Sequence, residues 1–272
     1  MSENLLTEVR GSVAHVIFNR PEKLNALSFG LLEAFEQAIA DFGADDSVSV
    51  IVISGAGGNF SVGYDVSPSG EGYTDLGAES GIWSDWESLR QSNQRWLKVW
   101  DTPKPVISAI EGHCMGGATQ LSVCSDITIV SSTARIGWPS VPLGGGLLSP
   151  PSAWLIGPKK AKELSFIAGS GMSGEEAARR GWANEAVAEG TAVDCAQELA
   201  ARIAQTPLDL LRLKKMALNR QYDLQGFRET FLMGAEWDAI AHTALGAQRT
   251  VASVHERGLK ETIRRFKSGE GV

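Results

Sequence analysis

Hydrophobic and polar positions along this chain switch between two periods, and the switches mark its organisation. Residues 13–18, V-A-H-V-I-F, are a short apolar run that reads as a strand. Asn19-Arg20-Pro21 breaks it. Ser28 then stands as an N-cap for a helix to about Phe42, with Leu31, Leu32, Phe35, Ala38, Ile39 and Phe42 on one stripe. Residues 48–53, V-S-V-I-V-I, are β-branched and nearly continuous, which suits a strand buried on both faces. The glycine-rich stretch from Gly55 to about Gly81 is long for a structureless loop, and such loops are more often functional or mobile. Residues 82–100 read as a helix with Trp86, Leu89, Trp96, Leu97 and Trp100 inward, ended by Pro103 and Pro105. Strands are expected at 106–110, 127–130 and 134–136, with a helix at about 118–124 between the first two. Strand, turn, helix and strand recur, so the core is α/β. From Lys159 onward the pattern is helical, at 159–168, 174–180, 192–204 and from Pro207 to the end, with one strand at 185–188. The chain divides accordingly into a core over residues 1–206 and a helical C-terminal region over 207–272. Leu210, Leu211, Leu213, Met216, Phe227, Phe231, Leu232, Met233 and Trp237 of that region need a partner surface on the core or on a neighbouring subunit.

Composition narrows the class. The 272 residues are 43% hydrophobic and 21% charged, an ordinary soluble globular balance. A net charge of −7 leaves no basic surplus for nucleic acid and no polybasic membrane patch. No apolar run approaches the ~20 residues that span a bilayer. The first ten residues lack the charged start and apolar core of a signal peptide. Three cysteines, Cys114, Cys124 and Cys195, show no metal-ligand spacing, so no metal is expected and a reducing cytoplasm is the simplest compartment.

Candidate chemistry gathers at two glycine-centred segments, Asn59-Phe60-Ser61-Val62-Gly63-Tyr64-Asp65 and Gly112-His113-Cys114-Met115-Gly116-Gly117-Ala118-Thr119-Gln120. Three readings compete. Ser54 to Gly58 follows a strand as a dinucleotide loop does, but Phe60 stands where the last glycine belongs and no helix pattern follows directly. Gly112 to Gly116 matches a nucleophile elbow with cysteine as nucleophile. Its partner histidine must then be His242 or His255, both in helix-like stretches of the tail. A buried Cys114 packing under the turn is the simpler account. The third reading uses backbone. A helix beginning at Gly116-Gly117 offers unpaired N–H groups and a positive dipole end. A second donor from the Gly63-Tyr64 turn completes a two-donor site for a developing oxyanion.

At these residues the chain resembles the crotonase family, the enoyl-CoA hydratase/isomerase superfamily. Five segments match in order: Asn19 to Leu27 (N-R-P-E-K-L-N-A-L), Phe60 to Asp65, Lys104 to Gly112 leading into Gly116-Gly117, Cys124 to Ile127, and Gly181 to Val187. The resemblance implies a spiral of ββα units followed by a helical C-terminal region, and a homo-trimer or dimer of trimers. It implies an acyl-CoA thioester ligand, with coenzyme A as part of the substrate and no separate cofactor. The thioester oxygen is then held by the backbone N–H groups of Tyr64 and Gly117. Lys23, Leu24, Ala26, Ser61, Gly63, Asp65, Val66, Gly116, Trp138 and Pro139 line the ligand. Asp65 is usually structural in this motif.

The pattern breaks at the proton-transfer groups. The two glutamate positions of the family's hydratases correspond here to Gln120 and Ser140. An amide moves no proton near neutral pH, and a serine without a partner is a poor base. The run Leu143 to Pro150 holds no acid. The stretch 73–87 offers Asp75, Glu79, Asp85 and Glu87, with Tyr73, Trp83 and Trp86. The sequence therefore leaves open an acyl-CoA isomerase, lyase or hydrolase with altered acid/base groups and a bulky acyl substrate, a non-catalytic acyl-CoA binder, and a Cys114 hydrolase.

Overall fold

A run of apolar residues in consecutive positions buries both faces of a strand only if something covers each side, and the central strands here are covered in that way. The computed structural model describes residues 3–66, 81–138, 142 and 151–271. The first half comprises β1 (Leu5–Arg10), β2 (Val13–Phe18), α1 (Phe29–Ala44), β3 (Val50–Gly55), α2 (Ile82–Asp101), β4 (Val106–Ile110), β5 (His113–Met115), α3 (Gly117–Cys124), β6 (Ile127–Ser131) and β7 (Arg135–Gly137). There follow α4 (Ser152–Ile156), α5 (Pro158–Phe166), β8 (Gly171–Ser173), α6 (Gly174–Arg180), β9 (Glu185–Val187), α7 (Ala192–Ile203), α8 (Leu208–Leu224), α9 (Phe227–His242), α10 (Leu245–Arg257) and α11 (Leu259–Ser268).

The large sheet has the order β1-β2-β3-β4-β6-β9. All its pairs are parallel except β1 with β2. Alternate residues of β3 point to opposite cores. Ile51 and Ile53 join the larger cluster with Leu31, Leu32 and Phe35 of α1, while Val50 and Val52 face Ala192, Ala196 and Ala200 of α7. The four-residue spacing of those alanines lets α7 lie close to the sheet. Ser28 caps α1 through a bond accepted from the Leu31 N–H.

A second, smaller layer holds β5-β7-β8. Two isolated parallel bridges extend it, Ser61 with Cys114 and Leu27 with Tyr64. Each turn of chain thus runs through a strand in the large sheet, a short extended segment in the small layer, and a helix. The segments near Leu27, near Ser61 to Tyr64, and β5 are the small-layer parts of three successive turns, entering α1, α2 and α3. The repeat is structural and leaves no obvious trace in the sequence. The expected spiral of ββα units and the helical C-terminal region are both present. The apolar pattern did not give β1, β5, β8 or α4, which are short or lie at an edge.

The C-terminal region is fastened by charge as well as by apolar contact. Phe227 stacks on Trp100 with ring centroids 4.0 Å apart. The Lys215 ammonium, reaching in from α8, donates to the Asp126 carboxylate at 2.7 Å and to the Val99 and Lys104 carbonyls at 3.1 and 3.0 Å. Of the tail's apolar set, Leu211, Phe227 and Phe231 are buried, whereas Leu213, Met216 and Trp237 stay exposed. Among the described residues, no helix is long and apolar enough to cross a membrane.

His15 lies fully buried on β2, its Nε2 2.5 Å from the Gln197 Oε1 of α7. Because an amide oxygen only accepts, Nε2 carries the proton. Burial holds the imidazole pKa below its ordinary value, against the opposing pull of the Gln197 bond. The unfolded chain therefore binds a proton that the folded chain refuses, so stability rises with pH through this group. Its contribution is present above the ordinary histidine value of about 6.5 and is lost as pH falls from there toward the lowered folded value. Denaturant unfolding at a series of pH values should show this decline in the wild type and a smaller one in His15→Leu.

Candidate active site

The site grows from the hydrogen-bonded join between two turns of the spiral. Ser61 N–H donates to the His113 carbonyl at 2.8 Å, and Met115 N–H donates back to the Ser61 carbonyl at 3.0 Å. The next residues leave the ladder together. Ser61 Oγ accepts from Gly63 N–H at 3.1 Å and tightens the turn. Gly63 adopts φ +90°, and a Cβ there would lie 2.7 Å from the Met115 carbonyl oxygen and 3.3 Å from the Gly117 nitrogen. Only glycine brings the Gly63-Tyr64 peptide this close to the start of α3. On its other side, Leu27 N–H donates to the Gly63 carbonyl at 2.8 Å and Asp65 N–H donates to the Leu27 carbonyl at 3.0 Å. Gly117 is the first residue of α3, so its N–H has no acceptor within the helix. All eight residues of α3 are buried.

Tyr64 covers this junction with its side chain. A Cβ on Gly117 would fall 2.7 Å from the Tyr64 ring. The ring is held at its far end: Trp96 Nε1 donates to the Tyr64 hydroxyl at 3.0 Å and to Gln120 Oε1 at 3.1 Å, and the Tyr64 hydroxyl donates to Gln120 Oε1 at 3.4 Å. Gln120 is 8% exposed and Trp96 is fully buried. The sequence pattern marked Trp96 only as an inward helix residue. Its polar role follows from the crossing of α2 over α3, which no local pattern encodes.

The Asn19 to Leu27 segment is braced from below. Arg20 is 2% exposed and Asp65 4%. Arg20 donates to the Asp65 carboxylate at 2.9 Å and to the Ala26 carbonyl at 2.5 Å. Asn25, in a left-handed conformation at φ +56°, accepts from Arg20 N–H and donates to the Ala56 and Asn59 carbonyls. The half-exposed Lys23 lies 3.7 Å from Asp65. Neither Arg20 nor Asn25 was among the candidate residues, although both stand in the quoted segment.

The structure brings Lys23, Ala26, Ser61, Gly63, Tyr64, Asp65, Gly117 and Gln120 into one region through the bridges and bonds above, with Leu24, Val66 and Gly116 beside them in the chain. Two of the expected positions have a visible packing role. The Asp65 carboxylate is committed to a buried ion pair and organises the loop, which is the structural use of that position. Trp138 is 6% exposed and sits edge-on to Trp182 at 6.2 Å, so its indole belongs to the core. Pro139, Ser140, Tyr73, Asp75 and Glu79 lie outside the described residues. Asp85 pairs with His242 at 2.7 Å and joins α2 to α9. Trp83 lies 4.9 Å from Trp86 and remains 68% exposed. Cys114 is completely buried, and desolvation pushes its thiol far above the ordinary value. A thiol in that setting lacks the partly exposed, electropositive surroundings of a nucleophilic cysteine, which argues against the nucleophile-elbow reading.

A family model described as Enoyl-CoA hydratase/isomerase matches residues 8–248. The Short-chain-enoyl-CoA hydratase of Clostridium acetobutylicum is 31% identical over 270 residues, covering 93% of this chain and 98% of that protein. The Carnitinyl-CoA dehydratase of Proteus mirabilis is 33% identical over 226 residues, covering 79% and 80%. The crystal structure of an enoyl-CoA hydratase/isomerase from Xanthobacter autotrophicus Py2 superposes with a TM-score of 0.88 at 28% identity, over 97% of each chain.

The contact between Gly117 and the Tyr64 ring can be tested directly. Gly117→Ala should destabilise the protein by about 1–3 kcal/mol, the usual cost of overpacking. In a Tyr64→Ala background the same substitution should cost much less, a non-additivity read in the same unfolding measurement. A neutral Gly117→Ala would show that the ring is not held there.

Proposed function

This chain belongs to the enoyl-CoA hydratase/isomerase family, and from that premise we propose that it is an acyl-CoA-processing enzyme with a backbone oxyanion hole. The donors are the N–H groups of Tyr64 and Gly117. The observation that carries this reading is the close approach of the Gly63-Tyr64 peptide to the first N–H of α3, which has no acceptor within the helix. Enolate formation next to a thioester puts negative charge on the thioester oxygen. Preorganised N–H donors bind that charge more tightly than they bind the neutral carbonyl. The α3 dipole acts in the same direction. Lys23, Leu24, Ala26, Ser61 and Val66 line the coenzyme A arm, and the exposed Lys23 ammonium is the local cation for phosphate on a net acidic protein.

Gln120 supplies no proton-transfer group, so the chemistry is isomerisation, lyase cleavage or hydrolysis with a base other than a glutamate at that position. Relatives named as a hydratase and a dehydratase make hydration the reaction to measure first. Crotonyl-CoA hydration should be slow. Turnover found in a broader thioester panel should fall ~10²–10³-fold in Gly117→Pro, which deletes one donor, measured on protein first shown to be folded and to bind the CoA ester. Fast hydration would overturn the reading of Gln120. The same amide favours a second reading, a non-catalytic acyl-CoA binder, for which tight binding without turnover of any panel member is the signature.

We propose in addition a homo-trimer or dimer of trimers, supported by the exposed Leu213, Met216 and Trp237 of the tail. Sedimentation at micromolar concentration should give a mass three or six times that of one chain. A monomer would refute it.

A further inference from the structure

Gln120 is a buried amide with one end occupied and the other open. An indole N–H only donates, so the Gln120 atom 3.1 Å from Trp96 Nε1 is the carbonyl oxygen. The Tyr64 hydroxyl donates to the same oxygen. The planar carboxamide therefore turns its two N–H bonds the other way. Nε2 has no partner among the described residues, and it is not one of the sealed, unpaired polar atoms such as His15 Nδ1.

Gln120 follows Gly117 by three residues, so the two lie on the same side of α3, about 4.5 Å apart along its axis. A thioester oxygen on the Gly117 N–H brings the C2–C3 part of the acyl chain beside Nε2. A group there that offers only donors selects an acceptor. The acceptor is neutral, because Tyr64, Trp96 and Gln120 carry no charge and the nearby Arg20 and Lys23 face the Asp65 carboxylate. We infer that Gln120 is a specificity-determining donor for a carbonyl oxygen on C3, so that the site prefers 3-oxoacyl thioesters to saturated ones. This rests on the acyl-CoA reading above. It also suits a site where an amide replaces a carboxylate. A 3-oxo thioester yields its C2 proton to a much weaker base than a simple thioester, since two oxygens share the charge.

The test is calorimetric titration of the intact protein with acetoacetyl-CoA and butyryl-CoA, with free coenzyme A monitored in the same samples. The wild type should bind acetoacetyl-CoA roughly fivefold more tightly, the effect of one neutral hydrogen bond. Gln120→Met should lose this preference, the two esters then binding within about twofold of each other. Gln120→Glu keeps the bonds from Trp96 and Tyr64 but presents an acceptor, and should reverse the preference. Trp96→Phe releases the amide and should shrink it. Equal binding of both esters by the wild type overturns this inference alone, whatever the variants do. So does a preference that survives in both Gln120 variants. Binding of neither ester overturns the acyl-CoA reading and this inference with it.

Discussion

The bonds between the Ser61 segment and β5 hold the functional region together. They are two backbone hydrogen bonds across a single parallel bridge, yet they join two turns of the spiral that are more than fifty residues apart in sequence. Everything placed beyond them depends on that register. The turn at Gly63 meets the first residue of α3 because both chains leave the ladder at the same level. A slip of one residue would point every side chain the other way and carry Tyr64 off Gly117.

Two kinds of burial support this join. Beneath it lies an apolar sheet covered by α1 on one face and α7 on the other, where β-branched residues fill both sides. Around it lie buried polar groups whose partners are nearly all supplied locally. Arg20, Asn25 and Asp65 tie the 19–27 segment to the 56–65 turn. Breaking such a buried pair by deleting one partner typically costs ~3–5 kcal/mol. That loop is therefore rigid for a structural reason, and Asp65, which the sequence offers as a ligand residue, is spent on the rigidity.

Trp96, Tyr64 and Gln120 show how identity at one position acquires meaning from another. Gln120 alone is an amide that moves no proton near neutral pH. With the indole N–H of Trp96 against its oxygen, it becomes a donor of fixed direction. The chemical character of the site follows from that orientation as much as from the residue type.

Much of this was legible in the chain itself. The period-2 and period-3.6 runs gave the central strands, α1, α2, α6 and α7, because each element buries a face long enough to leave a pattern. The ordered glycine segments gave the family. The sequence could not give β1, β5 or β8, since an edge strand and two strands of three residues each bury too little to repeat. Nor could it separate Asp65 as brace from Asp65 as ligand, or Trp138 as core from Trp138 as pocket. It could not settle the state of Cys114 or the direction of the Gln120 amide. Those depend on which distant groups stand within hydrogen-bonding distance or exclude water, and only the packing of one turn of the spiral on the next decides that.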